Sequence, residues 1–157
     1  MNKSLSKRRI ANIAGSVTFA IFFLADRIFK QLSLDTPDFS IIPGWLDFHF
    51  FANRNIAFSL PLAGRWLSIL IFLIILGLGF YLGVFWSKLN RIERFGLISV
   101  LSGALSNLAD RLIYGFVIDY LDLRWFTIFN LADVLIVSGT IVVLIGMIQA
   151  ERKKESL

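Results

Sequence analysis

"WLSILIFLIILGLGFYLGVFW", Trp66 to Trp86, runs for 21 residues without a charged side chain. As a helix rising about 1.5 Å per residue, it matches the roughly 30 Å hydrocarbon core of a bilayer. Tryptophans close both ends, at the depth where interfacial aromatic belts form. The rest of the 157-residue chain has the same character: it is 57% hydrophobic and 17% charged, with 16 phenylalanines. An ordinary soluble domain is about 25% charged, and one domain of this length could not hide so much apolar surface. Lipid is the expected solvent.

Three further runs have the length and apolarity of a span. "IANIAGSVTFAIFFLADRIF" covers Ile10 to Phe29, a third begins near Phe95 and passes through "GLISVLSGALSNLAD", and "FTIFNLADVLIVSGTIVVLIGMIQA" covers Phe126 to Ala150. The expected fold is an all-α integral membrane protein, a single membrane domain over 1–157 with four transmembrane helices at 10–29, 66–86, 95–112 and 126–150. The first run has the basic start of a cleavable secretory signal. It is too long for one, lacks a small-residue cleavage site and ends in Asp26 and Lys30.

Charge sets the orientation. Lys3, Lys7, Arg8 and Arg9, then Lys88, Arg91 and Arg94, then Arg152, Lys153 and Lys154 all flank apolar runs, as the positive-inside rule requires of cytoplasmic ends. Eight of the eleven acidic residues fall on the other side. Both termini and the 88–94 loop are thus expected in the cytoplasm. Topology explains the net charge of +5 without nucleic acid. Between the first two spans, residues 31–65 carry turn signals at "IPGW" and "NRN" around "LDFHFF" and "IAFSL". These read as a small strand-rich extracytoplasmic element. A second outer connection joins Tyr114 to Trp125.

The chain has no cysteine, which excludes disulfides, thiolate metal sites and cysteine nucleophiles. Its one histidine, His49, rules out a multi-histidine metal centre within one chain and reads as a structural or surface residue of a strand. The phenylalanines read as lipid-facing or core packing.

Polar residues nevertheless gather in depth. Asp26 lies 17 residues beyond Arg9 and Asp133 17 before Ala150, each about 26 Å along a helix axis. Asn107 and Asp110 stand 13 and 16 residues beyond Arg94, about 20 and 24 Å. Three helices therefore bring polar side chains to one layer near the outer edge of the core. Asn107, Asp110 and Arg111 share a face at i, i+3 and i+4, Asn130 and Asp133 are three apart, and Asp26 and Lys30 have the spacing of an ion pair. A charge at the bilayer centre costs at least about 2.5–3.5 kcal/mol, so such groups point into the protein and pair.

Asp110, Asp119 and Asp133 could meet beneath the second outer connection if the chain bends back at Gly115. Two carboxylates held close at low dielectric share a proton. The ionised one takes a proton from water while the neutral one polarises a carbonyl, the chemistry of aspartic peptidases.

At these residues the chain resembles the lipoprotein signal peptidases, or signal peptidase II family, over nearly its whole length. "DRIFK" resembles the family's first block, an aspartate followed four residues later by lysine. "NRNIAFS" is similar to N-x-G-A-A-F-S, "SGALSNLADRLIYGFVIDYLD" to G-G-A-x-G-N-x-x-D-R…G-x-V-x-D-F, and "FNLAD" to F-N-x-A-D. The resemblance implies that Asp119 and Asp133 are the catalytic pair and that Asn130 orients them and the peptide. It implies that Asn107, Asp110 and Arg111 support the site and contact substrate, that Asn53 reaches the peptide from the outer element, and that Asp26 and Lys30 brace the helices. It further implies a bacterial inner-membrane enzyme that uses no metal and no cofactor, with its site near the outer face, sufficient as a monomer. Its partners would be membrane lipids and lipid-modified prolipoproteins, cut immediately before the diacylglyceryl cysteine. Asn55 and Ile56 depart from the usual Gly-Ala, and Ser102 and Ser106 from two glycines. The interval from Asp119 to Asp133 is a few residues short for the family.

Competing readings are a small proton-coupled transporter subunit, a non-catalytic scaffold and a serine–lysine peptidase using Lys30. A transporter would place its ionisable groups near the midplane, whereas these crowd one edge. The retained aspartates argue against a scaffold, and no serine has a distinguishing position for the third.

Overall fold

The computed structural model describes residues 3–54 and 65–155, which form four helices and one four-stranded sheet. Helix α1 spans Lys3–Asp35, followed by strands β1 (Phe39–Ile42) and β2 (Leu46–Asn53); then come α2 (Arg65–Phe85), α3 (Arg91–Ile113), β3 (Val117–Leu123), β4 (Ile128–Phe129) and α4 (Leu131–Glu155). Within these helices, Asn12–Asp35, Arg65–Phe85 and Leu131–Lys153 are long and apolar enough to cross a membrane. Their surfaces are those of a protein solvated by lipid. On α2 only Leu67 is buried, while Trp66 and Phe80 are 81% and 72% exposed.

Helix α3 is different. It lies against α1, α2 and α4 and buries Leu97, Ile98, Leu101 and Leu108 together with Ser99, Ser102, Ser106, Asn107 and Asp110. Between Gly96 and Asp110 protein covers it and no residue is exposed, so it can carry polar groups that an isolated span could not. Its contact with α4 is a backbone contact. A Cβ on Gly96 would sit 2.6 Å from the Gly139 carbonyl oxygen, and one on Gly103 would fall on the carbonyl of Ala132. Small residues allow this approach, and the Gly103–Ala132 contact fixes the start of α4 against the polar half of α3. At the opposite end of α3, Asn90 and Glu93 form a capping box, with bonds of 2.9 and 2.7 Å.

The helices differ in extent from the expected spans. Helix α1 continues past Phe29 to Asp35, where Pro37 follows and prevents further helix. Helix α4 begins at Leu131 instead of Phe126, because Ile128 and Phe129 pair with Asp122 and Leu121 of β3. The segment between α3 and α4 therefore supplies two of the four strands of the sheet, which is antiparallel in the order β1-β2-β3-β4. The expected strand at "IAFSL", and Asn55 and Ile56, lie outside the described residues.

Two turns follow directly from sequence. Ile42-Pro43-Gly44-Trp45 closes the β1–β2 hairpin with Trp45 N donating to Ile42 O at 2.9 Å; Gly44 has φ +79°, as the third residue of a type II turn requires. Gly115, also at φ +79°, ends α3 with its N–H on the Arg111 carbonyl, a left-handed helix cap. There the chain reverses, and β3 runs back beside the polar end of α3.

Candidate active site

Asp119 lies in the middle of β3 and is 1% exposed. Opposite it, β2 carries a bulge between Phe48 and Phe51, with Phe51 facing Asp119 and Asn53 facing Val117. Bulges of this kind re-aim side chains beside functional sites. Asn53 reaches diagonally across the pair and its Nδ2 donates to Asp119 Oδ2 at 2.8 Å. The partly buried His49 sits within the bulged stretch.

Asp133 is placed by the first turn of α4. Asn130 is not on the helix face but caps its end: Asp133 N donates to Asn130 Oδ1 at 2.8 Å, and Asn130 N donates to Asp133 Oδ2 at 3.3 Å. This is a capping box whose acidic member remains partly accessible. The three-residue spacing of Asn130 and Asp133 is therefore a helix-start signal.

Two asparagines join the carboxylates. Asn130 Nδ2 donates to Asp119 Oδ1 at 2.6 Å, and also contacts Asn107 Oδ1 and the Ile118 carbonyl at 3.1 and 3.2 Å. Asn107 Nδ2 donates to Asp133 Oδ1 at 2.8 Å. Each carboxylate is thus held on both oxygens by amide N–H groups, which fixes its orientation and lends no proton. Burial raises the pKa of Asp119, the charge of Asp133 raises it further, and the carboxyl reaches about 7 against the Asn53 and Asn130 hydrogen bonds and the charge of Lys30, which lower it. A carboxyl poised near neutrality beside a second one is suited to hold or release a proton.

The third carboxylate does not join them. Asp110 accepts from Lys30 Nζ at 2.7 Å, from Arg27 Nη1 and from Ile118 N at 3.1 Å. It anchors the returning strand to α1 and α3. Lys30 also bonds Asp26 Oδ2 at 2.9 Å and Asn107 Oδ1 at 2.8 Å, so its three donors are satisfied without water. Asp26 in turn accepts from Ser106 Oγ (2.6 Å), Tyr120 Oη (3.2 Å) and Ala132 N (3.0 Å). Tyr120 Oη accepts from Leu131 N at 2.9 Å. Burial and the charge of Asp26 raise the Tyr120 pKa, so the hydroxyl stays protonated and donates. Consecutive residues of β3, Asp119 and Tyr120, grip consecutive residues at the start of α4, Asn130 and Leu131.

Arg111 is half-buried, bonds the Asn107 carbonyl at 3.4 Å, and lies in the field of Asp133, Asp119 and Asp110. Arg27, Ser106 and Tyr120 were absent from the residues expected here. Arg27 follows Asp26 on the same helix, Ser106 precedes Asn107, and a buried tyrosine hydroxyl needs a partner. Those are the signals that could have found them. Among the described residues, no group of three or more histidine, aspartate or glutamate side chains is arranged to hold a metal.

A protein-family profile described as "Signal peptidase (SPase) II" matches residues 18–149. The lipoprotein signal peptidase of Syntrophomonas wolfei is 37% identical over 144 residues, covering 88% of this chain and 95% of its own. That of Clostridioides difficile is 37% identical over 123 residues, covering 76% and 82%. The fold is similar to that of a bacterial membrane enzyme solved by the in meso method, with a TM-score of 0.77 and 24% identity over 90% of this chain and 91% of the other.

Proposed function

The chain belongs to the signal peptidase II family, and from that premise we propose that Asp119 and Asp133 are the catalytic pair of a membrane aspartic endopeptidase. Its activity is removal of the signal peptide from prolipoproteins, with cleavage before the lipid-modified cysteine. The observation that carries the assignment is the pair of carboxylates oriented by Asn130, Asn107 and Asn53, with Asp119 poised near 7. One carboxylate removes a proton from water as the water oxygen bonds to the scissile carbonyl carbon. The other, protonated, donates a hydrogen bond to the carbonyl oxygen. Collapse of the tetrahedral species expels the amine, which leaves with a proton returned from the pair, and no acyl-enzyme forms. Asn53 and Arg111 line the approach and hold the peptide, while the fully buried Asn130 orients the pair.

The pH profile of cleavage tests the role of Asp119. If the pair must hold one proton, kcat/KM falls as pH rises through about 7, where Asp119 ionises. The Asn53 hydrogen bond lowers that pKa. Asn53→Ala should therefore move the alkaline limb to higher pH, measured on a purified diacylglyceryl-modified prolipoprotein. A limb that moves to lower pH, or an alkaline limb absent in the wild type, would refute the assignment.

We further read α3 as a fourth span, hidden from hydropathy by its protein-facing polar side. Both termini and the 86–90 connection then face the cytoplasm of a bacterial cell, and the sheet and dyad face the opposite side of the inner membrane. Single cysteines placed in β1 and at Ser87 decide this with an impermeant thiol reagent on intact cells with the outer barrier opened. Labelling only in β1 is expected; labelling only at position 87 would invert the topology.

A further inference from the structure

Far from the dyad, at the opposite end of the helices, α1, α2 and α3 enclose an open cavity of about 450 Å³. Its walls are Asn12, Gly15, Ser16 and Phe19 from α1, Leu82 and Gly83 from α2, Trp86 from the turn that follows α2, and Ile98 and Leu101 from α3. The α1 residues follow the i, i+3, i+4, i+7 rule of a single helix face, and seven residues of helix give the cavity a depth of about 10 Å. A missing side chain opens the α2 wall: nothing lies within 4 Å of the place where a Cβ on Gly83 would stand. Gly15 lets the Trp86 ring lie against α1, where a Cβ would come within 2.9 Å of it.

The cavity is graded along its length. Phe19, Leu82, Ile98 and Leu101 make the part further along the helices apolar, while Asn12 and Ser16 bring polar groups towards the end where α1 starts and α2 stops. The Trp86 ring lines the cavity at that same end, and the Arg94 guanidinium lies over it at 5.1 Å from its centroid. Arg94 spends Nε and Nη2 on the Leu89 carbonyl, which fixes the guanidinium in place. Lys88 and Arg91, both exposed, add positive charge beside it. An apolar slot, hydrogen-bonding groups above it and fixed positive charge at the rim reproduce, in order, the chemistry of an acyl chain, a glycerol ester and a phosphate.

We propose that this cavity is a binding site for an anionic phospholipid, one acyl chain lying between α1, α2 and α3 and its phosphate held at Arg94 with Lys88 and Arg91. The leaflet assignment, cytoplasmic, rests on the topology proposed above; the binding itself does not. The site is separate from the dyad, so its ligand is a resident lipid and not the substrate.

The test uses the full chain purified in detergent and titrated with phosphatidylglycerol or phosphatidylcholine of identical acyl chains. Phosphatidylglycerol at about a hundredfold excess over its Kd should raise the thermal midpoint by about 5 °C, and phosphatidylcholine clearly less. Gly83→Phe fills the cavity from a position with room for the ring and should remove the response to both lipids. Arg94→Gln should keep a response but remove the preference. Equal responses to the two lipids in the wild type, or an undiminished response in Gly83→Phe, would overturn the proposal. Cleavage by Gly83→Phe should remain within about twofold of wild type, whereas failure of the dyad assignment would appear only in Asp119 and Asp133 variants.

Discussion

Asp119→Asn and Asp133→Asn should each lower kcat on a lipidated prolipoprotein by about 10⁴-fold, the upper range of general acid–base contributions. An amide cannot accept the proton of the attacking water, and it cannot exchange roles with its partner during the cycle. It does preserve the shape and many of the hydrogen bonds of the site, so insertion and thermal midpoint should stay near wild type. Because the carboxylates act as a unit, the double variant should be little worse than either single one. Substrate binding should partly survive, since the lipid chains contribute about 0.8 kcal/mol per buried methylene. Near-normal cleavage by a correctly inserted Asp119→Asn would sink the assignment.

Asp110 is the informative control. It is as buried as Asp119 and lies in the same polar layer, yet its oxygens are committed to Lys30, Arg27 and the Ile118 amide. Asp110→Asn should therefore act through the position of β3 and reduce kcat less than either dyad substitution. The geometry separates two groups of carboxylates. Lys30 and Arg27 bond one group directly, and amide N–H groups bond the other.

Much of this arrangement is legible in the sequence because membrane depth converts residue number into distance. Counting from Arg9 and Arg94 and back from Ala150 brings Asp26, Asn107, Asp110 and Asp133 to one level, and the contacts among them occur there. Gly115 also reads correctly as the reversal that returns Asp119 to that level. What sequence could not supply depends on partners distant in the chain. "FTIFN" is apolar enough to continue a helix, and only pairing with β3 makes Ile128 and Phe129 a strand. Arg27 gains its role only from Asp110, 83 residues away in the chain. Ser106 and Tyr120 become meaningful through one atom group, the Asp26 carboxylate, 80 and 94 residues from them.

Asp26→Ala should cost stability and activity together. The Asp26 carboxylate accepts from Lys30 on its own helix, Ser106 on α3, Tyr120 on β3 and the Ala132 amide on α4. Removing it leaves two hydroxyls and a helix-start N–H without their acceptor, and leaves Lys30 with one carboxylate where it had two. Breaking a buried ion pair by deleting one partner costs about 3–5 kcal/mol, enough to lower the thermal midpoint in detergent by on the order of 10 °C in a chain of this size. The same carboxylate positions the first turn of α4, and that turn carries Asp133. Its loss should shift one member of the dyad relative to the other, and a misplacement of about 1 Å can cost a hundredfold in rate. Asp26→Asn keeps the shape and should fall between wild type and Asp26→Ala in both measurements. A variant that keeps the wild-type midpoint while losing cleavage would move Asp26 from the brace into the catalytic machinery.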